Sequence, residues 1–328
     1  MGRFAAGDAP DIDRLVEETI SGVGAEVAAL KVPRLAGVVL GGGYGRGEGG
    51  VCVKEEGRGK KEEGLSNDLD FFAITEDGAS GRDIAAIAAA LEPVSRKWTE
   101  RLGVDVDFTV RTPWRIRHDQ ERLMIQELLH GYVDVTGRKG DELFSGIERR
   151  EPSRLPWSEA ARLMLNRGMG LLLAMEEGRR KKEEGSPDGG FINRNINKCI
   201  LGAGDARLIA CGRYRWRAED RAAALRESLY SAAVEWKFRP KAEPVCSWDE
   251  ARVIWLASYG EVFSAPGDPG ESRTFFNALR WLARRRTLGE LSTLGLAPEI
   301  RVLRRVRTAV LGKQPIAAGL RRDWEIFN

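Results

Sequence analysis

The stretch Leu35-Ala-Gly-Val-Val-Leu-Gly-Gly-Gly-Tyr-Gly-Arg-Gly-Glu48 decides the fold of the N-terminal part of this 328-residue chain. Its apolar half predicts a buried strand that ends in a glycine turn. Glycines at such a turn let successive backbone N–H groups approach a polyphosphate, and Arg46 adds a fixed cationic fork. The turn lacks the Gly-Lys-Ser/Thr ending of a P-loop and does not fit the dinucleotide-binding fingerprint. A glycine turn that binds no ligand is the alternative for this element taken alone.

Two acidic pairs follow on predicted strands. Asp68 and Asp70 lie on a strand over 68–74, and Asp105 and Asp107 lie on a strand over 104–110. Residues two apart along a strand share a face, so each pair puts two like charges close together. Carboxylates that close repel one another unless a cation lies between them, which points to Mg²⁺ or Mn²⁺. An exposed strand face without a metal is the alternative, and the spacing leaves open whether Asp105 or Asp107 joins the first pair.

The order of these features is more informative than any one of them. A glycine turn, an acid pair on one strand and a further acid on the next strand are typical of in-line nucleotidyl transfer with two metal ions. The motifs Gly42-Gly-Tyr-Gly-Arg-Gly-Glu48 and Asp68-Leu-Asp70, with Asp107, resemble those of the nucleotidyltransferase superfamily. That superfamily includes DNA polymerase beta, the aminoglycoside nucleotidyltransferases and the minimal nucleotidyltransferases. The resemblance covers about Leu35 to Gly137 and implies a mixed-sheet catalytic domain.

The resemblance also implies a role for each acid. Asp68 and Asp70 would be catalytic residues that hold both metal ions, Mg²⁺ or Mn²⁺. Asp107 would be the third catalytic acid and would ligate the metal that activates an acceptor hydroxyl. Asp105 is the alternative to Asp107.

The same resemblance assigns the glycine turn to the nucleotide. Backbone N–H groups of Gly42 and Gly43 would bind the triphosphate of ATP or another NTP, with Arg46 close to it. Glu48 is either part of this site or a structural partner of Arg46. Gly43 stands where the superfamily usually has serine, so one hydroxyl donor to phosphate is missing.

The remainder of the chain predicts a second domain of a different class. Residues 1–150 mix helical and strand patterns, with helices over 11–31, 82–102 and 119–130 and a strand over 132–136. Residues 151–328 show helical patterns over 157–175, 193–211, 218–236, 248–263, 272–286 and 298–310. The fold class predicted is therefore α+β, a nucleotidyltransferase domain followed by an all-helical bundle that binds substrate or a partner. Two prolines place the linker near 149–156.

The helical domain contains its own polar candidates. Lys198 is a nucleotide-binding candidate, with Arg194 as its alternative, and Asp205 is a candidate to orient or deprotonate an acceptor. Polar contacts between helices are the alternative for all three. A set of arginines could hold RNA, although a solvated helix face is the alternative: Arg280, Arg284, Arg285, Arg286, Arg301, Arg304, Arg305 and Arg307.

Composition narrows the class of protein. The chain has 52 Lys+Arg against 49 Asp+Glu, so its net charge of +3 gives little support to a dedicated nucleic-acid binder. Four scattered cysteines and two histidines argue against a disulfide framework or a structural zinc site. No stretch is apolar enough for a membrane span, and we expect a cytoplasmic protein. Two near-identical charged segments, 55–64 and 176–185, predict mobile surface loops.

Taken together, the sequence predicts a metal-dependent nucleotidyltransferase. It would transfer NMP, AMP from ATP being the first choice, to a hydroxyl of an unknown small-molecule or macromolecular acceptor, with release of pyrophosphate. One alternative is a non-catalytic nucleotide-binding or antitoxin-like protein that acts through a protein partner. Another is a nucleotidyltransferase directed to RNA, held by the arginine-rich helices.

Overall fold

The computed structural model describes residues 2–56, 60–184, 189–265 and 298–327. The protein is α+β and 63% helical, with a small mixed sheet and helices in its C-terminal part. The chain divides into two compact units. The first contains Met1–Arg150 and Lys237–Pro240, and the second contains Glu151–Trp236 and Lys241–Asn328. Lys237–Pro240, predicted to belong to the second domain, group with the first unit in the structure.

A four-stranded mixed sheet forms the centre of the first unit, in the order β5-β4-β1-β6. Strand β1 (Leu35–Leu40) pairs antiparallel with both β4 (Leu69–Thr75) and β6 (Val133–Gly137). Strand β5 (Val106–Arg111) pairs parallel with β4. The strands predicted over 35–40, 68–74, 104–110 and 132–136 are thus confirmed to within two residues. A separate hairpin joins β2 (Val51–Glu56) to β3 (Lys60–Leu65).

Helices cover both faces of the sheet. On one face, α1 (Pro10–Leu30) and α3 (Gly81–Leu102) share a core with the odd-numbered residues of β4, among them Leu69 and Phe71. The opposite face carries Phe72 and Ile74 and packs against a second core. That core includes residues of three short helices, α4 (Pro113–His118), α5 (Leu123–His130) and α6 (Gly140–Leu143). Asp70, two residues before Phe72 on β4, therefore emerges on the face covered by the short helices.

Local sequence explains where the main helices of this unit begin and end. Ile12, Val16 and Val23 recur at helical spacing and bury one face of α1. Ser80 and Asp83 form a reciprocal capping box at the start of α3, and Gly103 closes that helix in the left-handed conformation. The helices predicted over 11–31 and 82–102 are confirmed. The helix predicted over 119–130 is wrong at its start, because a turn separates α4 from α5, which begins at Leu123.

The described part of the second unit is helical. Its helices are α7 (Trp157–Glu184), α8 (Gly190–Ala210), α9 (Ala218–Leu225), α10 (Ser228–Phe238), α11 (Trp248–Ser264), α12 (Pro298–Gly312) and α13 (Ala318–Phe327). The single helix predicted over 218–236 is wrong. Arg226 adopts φ 58° and donates its N–H to the Ala222 carbonyl, which closes α9 before α10 begins. The helix predicted over 272–286 lies outside the described residues.

The described parts of the two charged repeats adopt different structures, and the prediction that they are loops is wrong there; residues 57–59 and 185 lie outside the described residues. In the first repeat, residues 55–56 end β2 and residues 60–64 belong to β3, because the hairpin continues from the buried Val51 and Leu65. The second repeat extends α7 as far as Glu184. There Arg180 forms ion pairs with Glu177 at 2.6 Å and Glu184 at 2.9 Å, at the spacings that stabilise an exposed helix. None of the helices described combines the length and apolarity that a bilayer crossing requires.

Candidate nucleotide and metal site

The glycine turn is in direct contact with the first acid pair. After β1, the Gly41 N–H donates to the Asp70 carbonyl at 2.8 Å, and one helical turn, α2 (Gly42–Gly45), follows. Gly42 has φ +64°, and a Cβ built on it would lie 2.2 Å from Asp70 Oδ2. Only glycine combines this positive φ with so close an approach to the carboxylate. A side chain at residue 42 would strain the backbone and displace Asp70. The turn and the Asp70 carboxylate thus form one structural unit.

Register decides which acids are neighbours. Asp70 lies opposite Asp107 in the parallel pairing of β4 with β5, so the two side chains leave the same face of the sheet. Both residues are exposed, and Asp68 precedes Asp70 by two residues on the same face. Asp105 comes before the paired part of β5, where its carbonyl accepts the Leu69 N–H at 2.9 Å. Asp107 is therefore the cross-strand neighbour of Asp70, and the choice of Asp107 over Asp105 as the third acid of a metal site stays a prediction.

The acids repel one another. The pKa of Asp107 is raised by burial and by the negative charges of Asp105 and Asp68, with a smaller effect of Glu92. A carboxylate whose ionised form is disfavoured by other carboxylates is stabilised by a nearby cation. Electrostatically, this edge of the sheet is suited to a positive ligand.

The chemistry of the acids fits a hard divalent cation, since carboxylate oxygens are the ligands that Mg²⁺ and Mn²⁺ prefer. In the part of the chain that the structure describes, no three His, Cys, Asp or Glu side chains are gathered closely enough to hold a metal ion. Asp68, Asp70 and Asp107 therefore share a face without forming a ready-made three-ligand cluster. Their role as metal ligands stays a prediction.

Arg46 lies between carboxylates. Its guanidinium is 3.3 Å from Glu127 Oε2 and 3.8 Å from Glu48 Oε2, and its side chain is only 14% exposed. Glu48 is buried and also pairs with Lys237 Nζ at 2.8 Å. These four residues, which we call the charged cluster, alternate in sign from Glu127 through Arg46 and Glu48 to Lys237. The cluster favours Glu48 as a structural partner of Arg46, the second of the two roles that the sequence left open.

Backbone bonds connect the charged cluster to the turn. The N–H groups of Arg46 and Glu48 both donate to the Gly43 carbonyl, at 3.2 and 2.8 Å. The ion pairs of these two side chains therefore restrict the same turn that carries Gly42 and Gly43. Neither Lys237 nor Glu127 was a candidate from sequence, because nothing in their local pattern relates them to residues 46–48.

Tyr44 is the main residue of the turn that sequence reasoning missed. It is fully buried, its hydroxyl donates to the Gly50 carbonyl at 2.6 Å, and it accepts the Ser66 N–H at 3.1 Å. Burial raises the pKa of Tyr44 to about 12, although the backbone N–H groups of Ser66 and Asn67 act in the opposite direction. Tyr44 thus ties the glycine turn to the segment that leads into Asp68. A tyrosine inside a run of glycines was the available signal.

The N-terminal residues Arg3–Ala6 bond to the backbone that follows the glycine turn. The Asp13 carboxylate accepts the backbone N–H groups of Arg3, Phe4 and Ala5 at 2.6, 2.9 and 3.0 Å. Burial opposes the charge of Asp13, yet these bonds hold its pKa below the usual range. The segment in turn exchanges backbone bonds with Gly49, which donates to the Phe4 carbonyl at 3.0 Å.

The candidates in the second unit have separate surroundings. Lys198 and Arg194 are exposed residues of α8, and their predicted contacts with a nucleotide stay predictions. Asp205 is held inside its unit by Arg221 Nε at 2.8 Å and by the Tyr230 hydroxyl at 2.5 Å. Burial and the adjacent Asp205 charge raise the pKa of Tyr230. This network favours the interhelix role for Asp205 over a role as a base.

The arginines predicted to hold RNA fall into two groups, one outside the described residues and one on α12. Arg280, Arg284, Arg285 and Arg286 lie outside the described residues. On α12, Arg305 is paired with the buried Asp323 at 2.5 Å, and the Arg307 guanidinium lies 5.2 Å from the Tyr259 ring centroid. These two arginines therefore have structural partners within the unit.

Comparison with known proteins gives no relative from which to transfer a function. No protein-family model matches the chain, and neither the curated proteins nor the solved structures gave a match. The geometry of the turn and the acids is therefore the basis for a proposed function.

Proposed function

We propose that the protein is a metal-dependent nucleotidyltransferase whose first unit carries the catalytic site. It transfers NMP, AMP from ATP being the first choice, to a hydroxyl of an acceptor and releases pyrophosphate. The observation that carries the proposal is the contact of the Asp70 carboxylate with Gly42, beside Asp107 in the register of β4 and β5. Glycine turn and acids are adjacent, as binding of a triphosphate and a divalent cation in one site requires.

Each residue has a defined part in this proposal. The N–H groups of Gly42 and Gly43 bind phosphate oxygens, and the charged cluster keeps their turn rigid. Mg²⁺ or Mn²⁺ held by Asp68, Asp70 and Asp107 would neutralise charge on the triphosphate and lower the pKa of the acceptor hydroxyl. The acceptor oxygen bonds to the α-phosphorus, the bond from that phosphorus to pyrophosphate breaks, and the hydroxyl proton leaves. That proton passes to solvent water.

A second candidate function is a nucleotide-binding protein without catalysis that acts through a protein partner. Two observations favour it. Arg46 already pairs with two carboxylates, and no three metal-ligating side chains are gathered in the described residues. The protein would bind a nucleotide without transferring NMP if Asp68, Asp70 and Asp107 do not together hold a metal ion.

The experiment that tests the proposal is a thermal shift of the full chain against ATP, GTP, CTP and UTP, with and without Mg²⁺. A ligand that binds the folded state raises its melting temperature by mass action. The Asp68→Asn/Asp70→Asn double variant should lose the metal-dependent shift, whereas Asp11→Asn, at an exposed aspartate on α1, should keep it.

Pyrophosphate release distinguishes the two functions. A nucleotide that stabilises the protein but releases no pyrophosphate with any hydroxyl acceptor screened favours the binding protein. No stabilisation by any nucleotide, with or without Mg²⁺, would refute both.

A further inference from the structure

A solvent-exposed aromatic stack lies on α4, among residues that the candidate site does not include. Trp114 is 62% exposed, the largest value among the exposed large apolar residues described. It stacks on His118, with ring centroids 5.2 Å apart and an interplanar angle of 29°. Pro113 and the Thr112 side chain, which accepts the Arg115 N–H at 3.1 Å, fix the start of this helix. The two rings are four residues apart and so lie on one face of the helical turn.

One carboxylate organises the cations around this stack. The Asp119 side chain is only 12% exposed, and it lies 2.7 Å from Arg115 Nε, 3.1 Å from His118 Nδ1 and 3.6 Å from Arg122 Nε. Burial opposes its charge, but His118, Arg122 and Arg115 together hold the pKa of Asp119 below its usual range. Asp119 therefore stays ionised and holds Arg115, Arg122 and the His118 ring in place.

Two further arginines add to the positive charge. Arg111, at the end of β5, is half-buried, and burial and the charge of Arg115 lower its pKa. Arg117 on α4 reaches the exposed Asp77 at 2.9 Å. We call this set the Trp114 surface: Trp114, His118, Arg111, Arg115, Arg117 and Arg122. With Asp119 and Asp77 included, the arginines leave a net charge of +2 before His118 is counted.

The combination determines what the surface can bind. Stacked aromatic rings beside arginines are the arrangement by which proteins bind single-stranded nucleic acid, since bases stack on the rings and phosphates meet the cations. A protein interface of ordinary size needs a wider apolar core than one indole supplies. A duplex keeps its bases stacked inside and so offers no base to the indole face.

We propose that the Trp114 surface is a binding site for single-stranded nucleic acid, with a base stacked on Trp114 and phosphates at Arg117 and Arg122. This site lies on the unit that carries the candidate catalytic acids, and not on the arginine-rich C-terminal helices to which the sequence analysis assigned RNA. The inference goes beyond the proposed function and does not depend on it, because binding at Trp114 needs neither a metal nor a triphosphate.

Fluorescence anisotropy of the full chain with a fluorescein-labelled oligouridylate of about 12 nucleotides, at about 50 mM salt, tests the proposal. Trp114→Leu keeps the apolar character and removes the aromatic face, so we expect binding about ten-fold weaker or more, with Trp114→Phe close to wild type. Arg117→Ala should weaken binding and reduce its salt dependence. Arg14→Ala, which removes another exposed arginine paired with an aspartate, should do neither.

Three results would overturn the inference. These are absence of binding to the oligouridylate at low salt, equal binding by Trp114→Leu and wild type, and equal affinity for a duplex of the same length. Melting temperatures of the variants check that none has unfolded, which the exposure of Trp114 leads us to expect.

Discussion

Replacing Tyr44 with phenylalanine removes a single oxygen atom from the centre of the glycine turn. In the folded chain that oxygen donates to the Gly50 carbonyl at 2.6 Å and accepts the Ser66 N–H at 3.1 Å. The Gly50 carbonyl and the Ser66 N–H also bond to each other at 3.2 Å, so each loses one of its two partners and neither is left without a hydrogen bond. A hydrogen bond contributes about 1 kcal/mol net, so the loss of both bonds of the Tyr44 hydroxyl should reduce the free energy of unfolding by about 2 kcal/mol.

Tyr132→Phe is the matched control in the same unit. The Tyr132 hydroxyl donates to Asp141 at 2.8 Å, but the Asp141 side chain is 88% exposed. Water replaces the lost bond there, and the cost should stay below about 1 kcal/mol. The two substitutions remove the same atom and differ in what surrounds it.

Urea denaturation of the full chain measures the stability of both variants, and native-state hydrogen exchange at the Ser66 amide locates the effect. We expect Tyr44→Phe to speed that exchange selectively and to weaken stabilisation by any nucleotide that binds the turn. A loss no larger than that of Tyr132→Phe, with unchanged exchange at Ser66, would refute the argument that Tyr44 holds the turn to the segment preceding Asp68.

The other predictions concern the acids, the turn and the second unit. The raised pKa of Asp107 means that the folded state holds this proton more tightly, so its contribution is present below pH 3.8 and is lost as the pH rises through the raised value. Asp107→Asn should therefore raise the melting temperature near neutral pH and have no such effect below pH 3.8; a lower melting temperature near neutral pH would contradict this. Gly42→Ala should abolish nucleotide-dependent stabilisation in a thermal-shift assay. Gly43→Ala should retain it, because its Cβ would lie 3.3 Å from its nearest neighbour and its φ is an ordinary one. An equal nucleotide-dependent shift in the two variants would contradict the claim that a side chain at Gly42 is strained. Asp205→Asn should lower the stability of the chain to urea and leave the rate of pyrophosphate release unchanged. Loss of pyrophosphate release at unchanged stability would contradict the interhelix role of Asp205.

Periodicity predicted the sheet of the first unit well because both of its faces are covered. The apolar residues of β1 and the alternation in β4 and β5 follow from burial, which each strand records in its own sequence. The helix boundaries predicted from sequence were less accurate where one residue of unusual backbone conformation ends a helix. Arg226 in the left-handed conformation splits one predicted helix into two, and no glycine announces the break.

The charged repeats show how neighbours override local sequence. Each has almost the same residues, yet one belongs to a hairpin and the other extends a helix. Val51 and Leu65 bury the ends of the hairpin, whereas the second repeat follows a long amphipathic helix and continues its hydrogen bonding. The repeats contain no apolar residue of their own that would choose between the two.

The sequence by itself determined the α+β class, the glycine turn after β1 and the acids at 68, 70 and 107, because each is encoded within a few adjacent residues. Only the tertiary structure decided that Asp107 is the neighbour of Asp70, that Gly42 lies against the Asp70 carboxylate, and that Lys237 pairs with Glu48. These facts depend on strand register and on contacts between residues far apart in the chain. Hydrophobic periodicity says which face of an element is buried, but it contains no information about which distant charge will meet that face.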